Sequence, residues 1–168
     1  GAGGGYTKTI KNVAVEVDTD YTITIGSGDT GHAAYRTDGK SGGTTSAFGQ
    51  SALGGSGGKA NCLGGDGGSG GGAAGFGSDD RGAAGGMDGS NGGSVDSRSG
   101  GKGQGTTTRE FGEENGKLYA SGGDGYKSPP TARDANSGNG GHGNGYGENK
   151  DGAGGSGIAI IRNAREAA

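Results

Sequence analysis

The sequence lacks most of what an ordinary globular core requires. It has no tryptophan, three phenylalanines and two prolines in 168 residues, and only 26% of its residues are hydrophobic. Glycine instead supplies 49 residues, whereas its usual share is roughly 7%. Glycine loses more backbone entropy on ordering than any other residue and brings no side chain to bury. Two outcomes remain: a disordered chain, or a fold held together by backbone hydrogen bonds.

No charge of one sign dominates. The 15 basic and 18 acidic residues are interspersed and leave a net charge of −3, which argues mildly against disorder. A basic stripe that could neutralise phosphates is missing, so nucleic acid is not an expected partner. The single cysteine, Cys62, excludes a disulfide framework and a thiolate zinc site. No apolar run is long enough for membrane insertion.

Short apolar alternations stand near both ends of the chain. Residues 13–17 place three valines on one face, and residues 21–25 repeat the pattern beyond a turn at 18–20, which predicts an antiparallel hairpin. Ile10 has the opposite parity to the valines, so a bulge or strand break is expected near residues 11–12. Residues 158–161 predict a last strand beside this hairpin, because a two-stranded hairpin alone is marginal.

Between the two ends, glycine recurs locally every third residue. Residues 64–72 repeat as G-G-x and residues 86–94 as G-x-y, and three is the period of an extended left-handed helix. Collagen is disfavoured, since it needs an unbroken repeat and abundant proline. We expect a mostly irregular and β fold: a small antiparallel β-sheet from the two chain ends (residues 1–25 and 158–163) with an inserted bundle of polyglycine II helices (residues 26–157). The whole chain, 1–168, is then a single glycine-rich domain.

A further hairpin is expected near residues 106–120. Asn115 and Gly116 suit a two-residue type I′ turn, which would pair Glu114 with Lys117. The three phenylalanines are interpreted as plugs between the helices and the sheet; they are Phe48, Phe76 and Phe111.

The usual chemical motifs are absent. Neither a phosphate-binding loop between a strand and a helix nor a βαβ unit is present, and no nucleophile, base and orienting partner are marked by a motif. His32 and His142 stand apart from the cysteine, and the acidic residues lack the spacing of calcium-binding repeats. The sequence therefore predicts a protein that is not an enzyme and that holds no cofactor or metal.

Three tyrosines lie among polar residues with a charge close by, as in many contacts with sugars and proteins. The alternative is that they only pack at the edge of the lattice. With their charged neighbours they make up the candidate binding residues, expected in loops at the rim: Tyr35, Arg36, Tyr126, Lys127, Arg133 and Tyr146.

Four segments resemble the glycine-rich domains of phage tail proteins and prophage-borne surface proteins. They are residues 5–26, residues 43–49 (Gly-Thr-Thr-Ser-Ala-Phe-Gly), residues 105–113 and the ending at 154–162. Together they span nearly the whole chain. The chain departs from the family pattern in beginning at Gly1, where one or two earlier strands are usual, so those strands are expected in a preceding segment or another chain. Many expected glycines are also replaced, for instance in residues 126–130.

More distantly, the chain is similar to the tail-tip adhesins of T-even-like phages and to the glycine-rich region of lymphoma-kinase-type receptors. Both carry polyglycine II bundles, and in the adhesins the loops at one end recognise the partner. The resemblance implies an extracellular module of a virion tail that attaches to a bacterial surface glycan or outer-surface protein. Its other partners would be tail or fibre subunits, including copies of itself.

Two alternatives remain open. One is an extracellular structural or assembly protein that forms a fibre or coat without binding a receptor. The other is ice binding by flat glycine faces, which the charged interruptions disfavour.

Overall fold

A small antiparallel sheet is the regular element of the fold. The structure is a computed structural model, which describes residues 1–31, 37–60, 63–74, 81–86, 88–94, 96–105, 109–144 and 151–162. Over these residues the chain is mostly non-helical, and three strands pair in the order β1-β2-β3: β1 is Ile23–Thr24, β2 is Thr45–Ala47 and β3 is Gln50–Ala52. The prediction of a mostly irregular fold with a small antiparallel sheet is confirmed.

A tight turn fixes the hairpin of β2 and β3. Its two central residues, Phe48 and Gly49, have φ angles of 50° and 68°, and positive φ at both positions is the requirement of a type I′ turn. Phenylalanine is an unusual residue in this conformation. Its ring packs against that of Tyr21, with the ring centroids 5.4 Å apart, so the turn also holds the segment before β1 against the hairpin.

The predicted hairpin of residues 13–17 with residues 21–25 is wrong. Ile23 pairs with Ala47 of β2, and residues 13–17 lie outside any strand. Asn12 and Asp18, on either side of residues 13–17, have φ angles of 56° and 57°. The positive φ of Asn12 falls at the expected break, but no strand lies on either side of it, and Val17, expected to be buried, is 89% exposed.

Of the two chain ends, only residues 1–25 contribute to the sheet, through β1. Residues 158–161 form no strand, contrary to prediction. The residues just before them run antiparallel to the segment that follows β1: the N–H of Gly157 donates to the carbonyl of Gly26 over 2.9 Å, and that of Gly154 to Asp29 over 3.0 Å. The two ends thus lie side by side, but through this glycine-rich stretch and not through paired strands.

Backbone hydrogen bonds between glycine-rich segments return to the same neighbour every third residue. At the start of the chain, Ala2 and Gly5 donate to residues 141 and 138, whereas Gly3 and Tyr6 donate to residues 56 and 53. Gly4 donates to a third segment, at residue 69. Each segment is therefore bonded to several neighbours arranged around it.

The same rotation of partners recurs deeper in the molecule. Gly70 and Ala73 donate to residues 90 and 93, while Gly72, between them, donates to residue 123. Gly122 and Gly125 donate to residues 101 and 98. Some neighbours run parallel and others antiparallel, so the network extends through the molecule in several directions.

The interior consists of backbone rather than apolar side chains. Among the described residues, the only buried hydrophobic side chains are those of Ala73, Ala83 and Ala120. A Cβ built on many of the glycines would collide with a carbonyl group of the next segment; at Gly125, for example, it would overlap the carbonyl of Ala73. The segments thus approach one another to a distance that only glycine permits.

The segment near residues 106–120 closes differently from prediction. Gln104 and Tyr119 form an antiparallel bridge, with N–H to carbonyl distances of 2.7 and 3.0 Å. The turn within it runs from Glu113, whose carbonyl accepts from the N–H of Gly116. Asn115 and Gly116 do not have positive φ, so the predicted type I′ turn is wrong. Phe111 is no plug either, because it is exposed and lies under the guanidinium of Arg162.

Candidate functional site

Half of the predicted binding residues fall in one described region, residues 121–144. Tyr126, Lys127 and Arg133 lie there, and it folds back on itself: the N–H of Gly143 donates to the carbonyl of Asp124 over 2.7 Å. The other three predicted residues, Tyr35, Arg36 and Tyr146, lie outside the described residues, as does Phe76.

Tyr126 presents its ring to a cation from a distant part of the chain. The guanidinium carbon of Arg98 lies 4.8 Å from the ring centroid, within the range of an attractive cation–π contact. The backbone sets this geometry, because the N–H of Gly125 donates to the carbonyl of Arg98 over 2.7 Å. Tyr126 is half-buried, so part of the side chain remains accessible.

Lys127 is held by its backbone and leaves its side chain exposed. It forms a parallel bridge with Asn144, and its N–H donates to the carbonyl of Gly143 over 3.1 Å. The exposed residues 127–129 continue this surface. We call Arg98, Tyr126 and Lys127 the aromatic–basic rim; it combines one aromatic face with two cations.

Arg133 is bonded to side chains within the region 121–144. Its Nη1 lies 2.8 Å from Nε2 of His142, and its Nη2 donates to the hydroxyl oxygen of Ser121 over 2.7 Å. Two of the five guanidinium donors are thereby occupied inside the protein. The arginine that the sequence suggested as a surface contact instead ties residues 121, 133 and 142 together.

His142 is the centre of this polar cluster and is only 3% exposed. Its Nδ1 lies 3.2 Å from the carboxylate of Asp124. The backbone N–H of Asp124 donates to the same Nδ1 over 3.0 Å, and Nε2 faces the guanidinium of Arg133, which can only donate. Burial, and secondarily the charge of Arg133, lower the pKa of His142 from 6.5 to about 4. The ring is therefore neutral at physiological pH.

Comparison with known proteins assigns the fold to a family. A family profile described as a glycine-rich domain matches residues 1–164. The chain belongs to this glycine-rich domain family. No curated protein and no solved structure matches it.

The residues of the glycine-rich domain that sequence reasoning missed are those supplied from far along the chain. Arg98 precedes Tyr126 by 28 positions, and Asp124 precedes His142 by 18. His142 was considered only as a metal ligand, and nothing local to it signals a cluster with Arg133. Only the folding back of the glycine segments brings these groups together.

In the polar cluster of the glycine-rich domain, the Ser121 hydroxyl accepts a hydrogen bond from Arg133, and Nε2 of His142 faces the same guanidinium. In the described part of the chain, no group of three or more His, Cys, Asp or Glu side chains is placed to hold a metal ion. Over the same residues, no helix has the length and apolar character needed to cross a membrane.

Proposed function

We propose that this glycine-rich domain is a non-enzymatic module of a phage tail tip or tail fibre. In this proposal its interior is a bundle of polyglycine II helices, and its rim attaches to a bacterial surface receptor, either a glycan or an outer-surface protein. The observation that carries the proposal is a backbone-bonded interior that leaves the aromatic–basic rim on its surface.

The hydrogen-bond pattern supports the polyglycine II interior. A helix with three residues per turn directs successive N–H groups at three different neighbours and returns to the first at the fourth residue. Residues 2–6 donate in this way to segments at 138–141, 53–56 and 69. Each bond contributes only about 1 kcal/mol net, but the bonds recur throughout the described chain.

The same interior favours display over catalysis. A lattice fixed by main-chain atoms leaves its side chains at turns and surfaces free to vary, as a protein that recognises changing receptors requires. An aromatic face beside cations is suited to stacking on a sugar ring and to binding its anionic substituents. The resemblance of the sequence to tail proteins directs the proposal to bacterial surfaces.

Binding of the labelled, purified chain to a panel of bacterial strains tests this proposal. We expect saturable binding to a susceptible strain that is lost in Tyr126→Ala and Lys127→Ala. The matched control is the pair of Lys117 and Tyr119, in which the ammonium lies 5.2 Å from the ring centroid at another place on the surface. Binding that is non-saturable on every strain, or that Lys117→Ala and Lys127→Ala reduce equally, would refute the proposal.

A second candidate function is assembly into an extracellular fibre or coat without a receptor. It is favoured by the many large apolar side chains left exposed near both ends of the chain, including Val15, Val17, Ile160 and Ile161. Concentration-dependent growth of polymers by the purified chain, with no binding to cells, would support this candidate over the first.

A further inference from the structure

An apolar groove lies on the molecule away from the aromatic–basic rim. Its volume is about 960 Å³, near the upper end of the range for ligand pockets, roughly 300–1,000 Å³. Segments from several parts of the chain line it, and its apolar side chains include Ile10, Val13, Val15, Phe48, Phe111 and Ile160. These side chains are wholly or partly exposed, so the described residues leave the groove as apolar surface.

Two segments along this groove have unpaired backbones. Within the described residues, no N–H or carbonyl of residues 8–15 or 158–162 makes a hydrogen bond to another backbone group. Both segments line the groove, and both carry the β-branched residues that favour strands. Asn12, with a φ of 56°, divides the first segment. Residues 13–15 beyond it and residues 158–162 present free backbone groups and apolar side chains, and such a segment is a template for pairing with another strand.

The first of these segments belongs to a longer stretch with an uneven charge, residues 8–20, which we call the arm. Its beginning carries two cations, Lys8 and Lys11. Its end carries three carboxylates, on residues 16, 18 and 20. Val13 and Val15 stand between them, and Val17 lies among the carboxylates; Val15 is 64% and Val17 89% exposed. The arm is thus basic at one end, apolar in the middle and acidic at the other end.

We propose that the groove is covered by the arm of a second copy of this chain. If two arms pair antiparallel about a two-fold axis, the lysine end of each lies against the carboxylate end of the other. The valines of both arms then meet over the two grooves, and the unpaired backbone groups gain partners. A surface that is complementary to itself under two-fold rotation is the condition for a closed dimer, and opposite charges at the two ends fix the antiparallel direction.

Pairing in the other direction is disfavoured by the same charges. Parallel arms would set lysines beside lysines and carboxylates beside carboxylates, and such like-charge contacts oppose association. The inference is independent of receptor binding, since it uses no residue of the aromatic–basic rim. A chain that dimerises without binding bacteria, or that binds bacteria as a monomer, separates the two proposals.

Light scattering coupled to size-exclusion chromatography on the full chain tests the dimer. We expect a dimer in the micromolar range that weakens as salt is raised, because its ends attract by charge. Val15→Lys should raise the dimer dissociation constant by about tenfold or more, because Val15 lines the groove. Since its side chain is 64% exposed, the monomer should fold normally. The matched control is Leu118→Lys, at a side chain that is 49% exposed and does not line the groove.

Charge exchange between copies provides the sharper test. In one variant, Lys8→Glu and Lys11→Glu make the arm acidic throughout; in a second, Glu16→Lys, Asp18→Lys and Asp20→Lys make it basic throughout. Each variant alone should be a monomer, and an equimolar mixture should restore the dimer. Unchanged amide exchange in the glycine segments would show that both variants are folded.

Three results would overturn the inference. The first is a chain that stays monomeric across the micromolar range. The second is an open series of higher oligomers, which would show that the contact does not close on itself. The third is a dimer that Leu118→Lys weakens as much as Val15→Lys, or that the mixed charge variants fail to restore.

Discussion

Adding one methyl group to the glycine interior should unfold much of the protein. Gly123 is buried, and a Cβ built on it lies 2.5 Å from the carbonyl carbon of Gly141 and 2.8 Å from the carbonyl oxygen of Gly140. Carbon atoms in contact prefer separations of roughly 3.5–4.0 Å, so one segment would have to move by about 1 Å. Gly123→Ala tests whether the interior can accommodate that shift.

The loss of stability in Gly123→Ala follows from the backbone hydrogen bonds that the shift would break. Gly123 donates to the carbonyl of Ala2 over 2.8 Å and accepts from Gly72 over 2.9 Å, and Gly140 donates to Ser121 over 2.8 Å. Losing two or three such bonds removes about 2–3 kcal/mol, and the overpacking itself costs about 1–3 kcal/mol. A loss of about 4 kcal/mol is a large part of the free energy of unfolding of a typical domain, roughly 5–15 kcal/mol.

Urea unfolding followed by circular dichroism measures the difference. The control is Gly42→Ala: a Cβ there has no heavy atom closer than 3.6 Å, so we expect a change within about 1 kcal/mol and of stabilising sign, because alanine reduces the entropy of the unfolded chain. If Gly123→Ala and Gly42→Ala unfold at the same urea concentration, the interior is not a close-packed backbone lattice and the reasoning fails.

Three further predictions concern particular side chains. The folded pKa of His142, about 4, lies below its unfolded value of 6.5. The free energy of unfolding should therefore be at its full value above pH 6.5 and fall by about 3 kcal/mol as the pH drops to 4. Urea unfolding midpoints at several pH values should show this fall, and the fall should be smaller in His142→Gln. Gln104 is 4% exposed, its amide NH₂ donates to the carbonyl of Gly5, and its side-chain oxygen accepts from the N–H of Thr7. Gln104→Leu should therefore lower the free energy of unfolding by about 2–4 kcal/mol. An unchanged melting temperature would contradict this role. Phe48→Asn should cost less stability than Phe48→Ala, because asparagine tolerates positive φ, and the reverse order of melting temperatures would show that strain at the turn is unimportant.

The sequence predicted a small antiparallel sheet but not the strand partners. Opposite parity of Ile10 and the valines predicted a break between two strands; Asn12 has positive φ there, but the residues around it form no strand. The hairpin prediction is wrong because alternating apolar residues show which side chains share one face of a strand, but not which strand lies beside it. Asn115 and Gly116 have the favoured type I′ sequence and do not use it, whereas Phe48 and Gly49 adopt it. The packing of Phe48 on Tyr21 overrides local preference there.

The candidate site was predictable only where its signal is local. Tyr126 and Lys127 are adjacent in sequence, and the structure adds Arg98, whose guanidinium lies over the ring of Tyr126. The orientation of Arg133 was not predictable, because its partners His142 and Ser121 lie 9 and 12 positions away on different glycine segments. Which segments become neighbours depends on backbone groups that are the same at every glycine, so composition and period carry little information about it.

Because the backbone groups are the same at every glycine, they do not by themselves determine how the glycine segments align with one another. A glycine segment shifted by three residues against its neighbour would offer nearly the same hydrogen bonds, so the bonds alone do not select one alignment. A few buried polar side chains break the degeneracy. Ser69 is completely buried and its hydroxyl donates to the carbonyl of Lys102 over 2.6 Å, and the side-chain oxygen of Asn139 accepts from the N–H of Ser121 over 2.8 Å.

Each of these side chains satisfies a backbone group at one position only, so a shifted register would leave a buried polar group without its partner, at a cost of about 1–3 kcal/mol. Several such penalties together separate the native alignment from its shifted alternatives, as a funnelled landscape requires. The buried polar side chains therefore chiefly determine which register is adopted, and the close contacts between glycine backbones hold the segments together. Ser69→Ala, with every glycine kept, should therefore allow the glycine segments to align in more than one register before their backbone hydrogen bonds are lost.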